Sequence, residues 1–192
     1  MPFFDTHEKR ITKIATILSR ILEIAYCGAM ICVVVMLVLV LVDPALPGRL
    51  GPLEELASRG FSLVISDAQG NLLPGALPVF LIDCALSLGL MTMVFRNVNL
   101  ILRTTQGLTK FSQGKTPFQK ANVRMLREIG IFFIAIVVVQ WIFCGIAVLV
   151  LGPDKAEVSA GAGDLVTGIL LLCLAQCFAL GVQMQQDVDG LV

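Results

Sequence analysis

The chain has 192 residues, 57% of them hydrophobic and 15% charged, with 14 basic residues balanced by 14 acidic ones. A mean hydropathy of +0.89 excludes an ordinary water-soluble domain and makes the bilayer the expected solvent. The balanced charge gives no reason to expect direct contact with nucleic acid.

Between Arg20 and Asp43 lie 22 residues interrupted only by Glu23. As a helix at about 1.5 Å per residue they cover roughly 33 Å, enough to cross the hydrocarbon core. This places a first span at 20–42. The turn-forming run from Asp43 to Gly48 follows a full-length apolar stretch, the pattern of a retained anchor rather than a cleaved signal peptide.

An outer loop follows at 43–76, rich in Pro and Gly at both ends. Within it, Phe61 to Leu73 reads as a short apolar strand entering a turn at Asp67 to Asn71, which predicts a small hairpin. Gly51 to Ser58 reads as one or two helical turns needing tertiary support.

The second span is placed at 77–102, with Asp83 near its start and Arg96 towards its end. Pro78 falls where a missing N–H costs least. In the connection 103–128, Gly114, Thr116, Pro117 and Gln119 spell a helix start. Thr116 suits the N-cap, Pro117 the first helical position, and Gln119 completes a Thr-x-x-Gln capping box. Phe118, Asn122, Met125, Leu126 and Ile129 then share one side of an amphipathic turn running into the third span, 129–151, which carries no charge. The fourth span, 165–185, has Gln176 as its main polar residue and precedes an acidic tail with Asp187 and Asp189.

Four spans put both termini on one side. Lys9, Arg10, Lys13, Arg20, Arg103, Lys110, Lys115, Lys120, Arg124 and Arg127 lie on that side, against Arg49, Arg59 and Lys155 on the other. The positive-inside rule therefore places the termini and the connection 103–128 in the cytoplasm. The expected fold is an all-α membrane protein, one domain over 1–192, with four antiparallel transmembrane helices and a small extracytoplasmic loop containing a short β-hairpin.

A charge within a span is a functional candidate because burying it unpaired costs about 2.5–3.5 kcal/mol at the centre by insertion scales. Glu23, early in an outward-going span, and Arg96, late in an inward-going one, fall at similar depth, where they can form an ion pair or snorkel separately to the headgroups. Asp83 has two open readings: a wet outer vestibule that holds a ligand, or a hydrogen bond to a neighbouring helix. Gln140 and Gln176, mid-span, read as interhelical hydrogen-bond partners. The basic residues Lys110, Lys115, Lys120, Arg124 and Arg127 form a face for a protein partner or for anionic lipid headgroups. Gly168, Ala175 and Ala179 give the fourth span a small-residue face, suited to packing within the chain or to a homodimer.

Catalytic readings fail on inventory. The only histidine is His7, ahead of the first span, so bis-histidine haem, a His-based metal centre and a Ser-His relay have no residues to build them. Gly114-Lys115-Thr116 lacks the upstream glycine of a phosphate loop. Cys27, Cys32, Cys84, Cys144, Cys173 and Cys177 all fall in apolar stretches and read as small packing residues. No catalytic, cofactor or metal site is expected, and the chain reads as non-enzymatic.

The stretch Gly114-Lys-Thr-Pro-Phe-Gln-Lys-Ala-Asn-Val-Arg-Met-Leu-Arg-Glu-Ile-Gly130 resembles the signature of a bacterial membrane family known as domain of unknown function 2975. The closing segment Leu174 to Val192, with Phe178-x-x-Gly181 and an acidic tail, is similar to that family's final helix, and four spans with a long first outer loop agree with it. The resemblance implies the inner membrane of a bacterium and a genetic setting beside small helix-turn-helix regulators, but no catalytic residues. It implies a regulatory membrane protein that holds such a regulator at its cytoplasmic face. The rival reading is a small transporter or channel using Glu23, Arg96 and Asp83 along a polar path.

Overall fold

The computed structural model describes residues 2–43, 55–67, 71–110, 118–158 and 161–189, with side chains described from 10 to 187 within those ranges. In chain order the elements are α1 (Pro2–Val42), β1 (Glu55–Ser58), β2 (Phe61–Val64), α2 (Ala76–Thr105), α3 (Lys120–Leu151), β3 (Ala156–Val158) and α4 (Ala162–Asp189). All four helices are long and apolar enough to cross a membrane. The protein is therefore mostly helical, with four helices able to span a membrane and, among the described residues, one small sheet of order β1-β2-β3.

Helix α1 runs well ahead of the expected span, because Glu8, Lys9, Arg10 and Lys13 are charged but favour helix. Helix α2 stops at a Schellman motif: Gly107, at φ 77°, donates its N–H to Thr104, and Leu108 donates to Arg103. Helix α3 begins later than the expected capping box. Phe118 and Gln119 are non-helical, and the Gln119 carbonyl accepts the first helical bond, from Val123 N–H at 3.1 Å. Gln119 thus sits at the N-cap rather than the third helical position, while Gly114, Thr116 and Pro117 lie outside the described residues.

The sheet corrects the reading of the outer loop. Glu55–Ser58, expected within a helical segment, is strand β1, paired antiparallel with β2 so that Ser58 faces Phe61. The two-residue connection is Arg59-Gly60, both at positive φ (47° and 95°), the geometry whose twist matches antiparallel strands. The expected turn at Asp67 to Asn71 closes only a single bridge, Ser66 to Leu72, with Asn71 N–H and side chain bonded to the Asp67 carboxylate. Strand β3 comes from the connection between α3 and α4 and pairs antiparallel with β2. It has too short an apolar run to announce itself; backbone pairing with β2 makes it a strand.

The chain forms two compact units, one from Met1–Ala25, Met91–Ile134 and Val166–Val192, the other from Tyr26–Leu90 and Ala135–Leu165. In the first unit polar contacts tie the helices together beside buried apolar residues such as Met91, Val94 and Ile129. Asn99 Nδ2 donates to the Thr16 carbonyl at 3.2 Å and to Ser19 Oγ at 3.3 Å, and Gln106 Nε2 donates to Thr16 Oγ1 at 3.0 Å, which ties α1 to α2. Asn97 Nδ2 donates to Glu128 Oε2 at 3.0 Å, which ties α2 to α3. Helices α3 and α4 approach closely: a Cβ added to Gly168 would stand 2.9 Å from the Gly130 carbonyl and 2.8 Å from Ile134 Cγ1. At the other end of the same contact Phe118 packs on Phe178 (centroids 5.4 Å apart) and against Gly181.

The second unit has an apolar core instead. Phe61, Leu63 and Ile65 of the sheet region meet Ala76, Phe80 and Cys84 of α2 and Ala147 of α3, with Phe61 stacked on Phe80 at 6.0 Å. The inward faces of β2 alternate, Phe61 and Leu63 buried and Ser62 and Val64 less so, as a half-buried strand requires.

Candidate functional site

In the first unit a groove of about 340 Å³ opens between the start of α3 and the end of α4. Lys120, Arg124 and Arg127 of α3, spaced i, i+4, i+7 along one stripe, form one wall. Gln183 and Gln186 of α4 form the other, over a floor of Val123, Ala179 and Val182. The alignment follows from the close approach at Gly130 and Gly168, which leaves the two helices in register as they run to this end.

Charge in the groove is one-sided. Arg124 Nε donates to Glu128 Oε1 at 2.8 Å, and Asn97 Nδ2 donates to the other oxygen of Glu128. Lys120 and Arg127 form no salt bridge among the described residues. The first turn of α3 carries no acidic residue, so the positive end of the helix dipole adds to these cations rather than being offset. A cation in the first turn, as Lys120 is, is unfavourable by about 0.3–1 kcal/mol, and the amides of Gln183 and Gln186 supply donors beside the basic stripe. The arrangement suits an anionic group with several oxygens, a carboxylate or a phosphate.

Of the basic residues expected to form this face, Lys120, Arg124 and Arg127 come together. Lys110 is exposed but does not line the groove. Lys115 lies outside the described residues, as do residues 190–192 of the tail. Sequence reasoning missed Gln183 and Gln186, whose spacing does not show which helix they face.

The intramembrane charges are arranged differently from expectation. Glu23 Oε2 accepts from Arg20 Nη1 at 2.8 Å, an i, i+3 pair on α1, so its partner is not Arg96. Arg96 is exposed on α2 and makes no salt bridge among the described residues. The physical reason is local: a neighbour one turn away on the same helix needs no interhelical alignment. Gln176 is exposed on α4 rather than bonded between helices, and Gln140 bonds a turn, not a helix. Gly168 and Ala175 are buried within the first unit, so this part of the small-residue face serves α3–α4 packing rather than lying open to a second copy. Cys32, Cys173 and Cys177 are exposed rather than packed.

In the second unit Arg59 is held by two partners. Its guanidinium donates to both oxygens of Asp164 at 3.2 Å, and its carbonyl accepts from Gln140 Nε2 at 2.9 Å. These contacts offset the strain of a non-glycine residue at φ 47°, about 1–3 kcal/mol. Asp164, the acidic residue of the first turn of α4, therefore also fixes the hairpin turn.

Asp83 fits neither of its expected settings. It is 0% exposed, which removes the wet vestibule, and both carboxylate oxygens lack a hydrogen-bond partner, which removes the interhelical bond.

No protein-family model, curated protein or solved structure matches the chain.

Proposed function

We propose that this is a non-enzymatic regulatory or interaction protein of the bacterial cytoplasmic membrane, with both termini in the cytoplasm. Its basic groove docks the acidic surface of a cytoplasmic partner. The observation that carries the reading is the convergence of Lys120, Arg124 and Arg127 in one groove with only Arg124 balanced by an acid. Lys120 at the first position of α3 and Arg127 without an acidic partner are a poor choice for stability and a good one for steering and holding an anionic surface. The positive-inside distribution supports a cytoplasmic position for that groove, and the resemblance to the family with domain of unknown function 2975 supports a small helix-turn-helix regulator as the partner. Acyl chains of membrane lipids cover the exposed apolar helix faces, such as those bearing Ile131, Leu170 and Trp141.

The test is affinity purification of the tagged protein in mild detergent from its host, with and without Lys120→Glu, Arg124→Glu and Arg127→Glu together. The expected result is a small DNA-binding protein in near-stoichiometric amount that is lost in the triple variant and eluted by salt. Recovery that neither salt nor charge reversal changes would contradict it. A transport path through Glu23, Arg96 and Asp83 finds less support, since Glu23 is held by Arg20 and Arg96 is exposed.

A further inference from the structure

Helix α1 is unbroken from Pro2 to Val42, and its apolar stretch is only 6% buried within the described chain, against 44% for that of α2. From Ile14 onward one stripe of it repeats every seven residues. Ile14, Ile21, Gly28, Val35 and Val42 take the first position of each heptad, and Ile17, Ile24, Ile31 and Val38 the fourth. Every side chain in this stripe is more than half exposed, and a Cβ built on Gly28 would meet nothing within 4 Å. The opposite side of the same helix is the one turned to the chain itself. There Thr16 and Ser19 accept from Asn99 of α2, Val33 packs against the apolar core, and Val40 is buried.

Lipid tails account for only part of this stripe. From Ile14 to Val42 it runs about 42 Å at 1.5 Å per residue, against about 30 Å of hydrocarbon core. Ile14 and Ile17 lie between Lys13 and Arg20, ahead of the apolar stretch that follows Arg20, so acyl chains do not reach them. Nor does uniform apolarity produce the pattern. Between Ile14 and Ile24 both repeating positions are always Ile, while the others include Thr16, Ser19, Arg20 and Glu23. A lipid-facing surface needs no register, whereas a strict seven-residue repeat keeps a seam between helices in contact along its length. Gly28, in the middle of the stripe, lets neighbouring backbones approach.

We infer that α1 is the centre of a parallel bundle of three or four copies of this chain, joined along this stripe. Copies that enter one membrane in one orientation bring their α1 helices together parallel, with like residues level around a cyclic axis. β-branched residues at both seam positions shift the preference from two strands to three or four. The seam buries Ile14 and Ile17 where lipid does not, and leaves the Asn99 side of α1 to the chain itself. This self-association is separate from partner docking, whose groove lies between α3 and α4, and it stands or falls without it.

The experiment is disulfide trapping in isolated membranes, on the full-length protein with Cys27, Cys32, Cys173 and Cys177 replaced by alanine. Ile17→Cys places a thiol on the seam, and Leu108→Cys places one at an exposed position off it. Oxidation is expected to give an adduct of twice the chain mass with Ile17→Cys and none with Leu108→Cys. No adduct at position 17, or equal adducts at both positions, would overturn the proposal. Light scattering of the wild-type protein in mild detergent is expected to give three or four times the 20.7 kDa chain mass. Ile14→Lys with Ile17→Lys sets like charges across the seam and is expected to raise the concentration for half association by about tenfold or more. A wild-type mass of one or two chains, or association indifferent to the double variant, would overturn the proposal. Should that variant fail to accumulate, the trapping at position 17 and the wild-type mass decide the matter.

Discussion

The two units solve the same packing problem by different physics. In the first, helices are joined by amides and hydroxyls, Asn99 to Thr16 and Ser19, Gln106 to Thr16 and Asn97 to Glu128, with glycines where α3 and α4 touch. In the second, a three-stranded sheet places Phe61, Leu63 and Ile65 on helix faces and forms an apolar core. Lipid tails are as apolar as leucine, so apolar burial does little to join helices within a bilayer, and polar bonds and close van der Waals contact take its place. A sheet whose backbone must pair and whose one face must be covered brings the ordinary hydrophobic driving force back.

The sharpest way to break this contrast is in the second unit. Phe61→Ala, which empties the centre of its core, is expected to destabilise by about 3–5 kcal/mol in denaturant titration of the detergent-solubilised protein. A much smaller loss would mean that the sheet is not what holds the unit. In the first unit the largest effect belongs to close approach. Gly168→Ala drives a Cβ to 2.9 Å from the Gly130 carbonyl, a backbone atom that cannot move aside alone, and should cost about 1–3 kcal/mol by the same titration.

Below these come single polar contacts. Asn99→Ala removes its own two bonds to α1 and leaves that of Gln106; it is expected to cost about 1 kcal/mol, near the upper part of the range for interhelical hydrogen bonds in membranes. Asp164→Ala releases the Arg59 turn and should cost a similar amount, about 1 kcal/mol, with faster amide exchange at Gly60 and Phe61 as the local sign. The smallest effect is expected at Glu23→Gln. Its pair with Arg20 is a one-turn surface contact worth about 0.3–0.5 kcal/mol, and a loss several times larger would revive an interhelical role for this carboxylate.

Much of the helical part of this architecture was legible because length and hydropathy are local properties. The spans expected at 77–102 and 165–185 fall within α2 and α4, and the amphipathic turn ahead of 129–151 is the first part of α3. Hydropathy alone ends an element where charges begin, so it could not see α1 continuing back through Lys9 and Arg10. The sheet was mostly hidden. Its β2–β3 pairing joins residues on either side of α2 and α3, and the hairpin turn uses Arg59, a residue whose positive φ is sustained by distant Asp164 and Gln140 rather than by its own chemistry. The basic stripe of the candidate groove was readable from spacing on α3. Its second wall was not, because nothing local to Gln183 and Gln186 tells which helix they meet.

The most direct test of the proposed function is site-specific photocrosslinking in living cells, with a photoreactive residue replacing Lys120 in the groove or, as a control, exposed Leu170 on α4. The account predicts a discrete adduct with a small DNA-binding protein at position 120 and none at position 170. Adducts with lipid alone at both positions, or the same protein adduct at both, would contradict it.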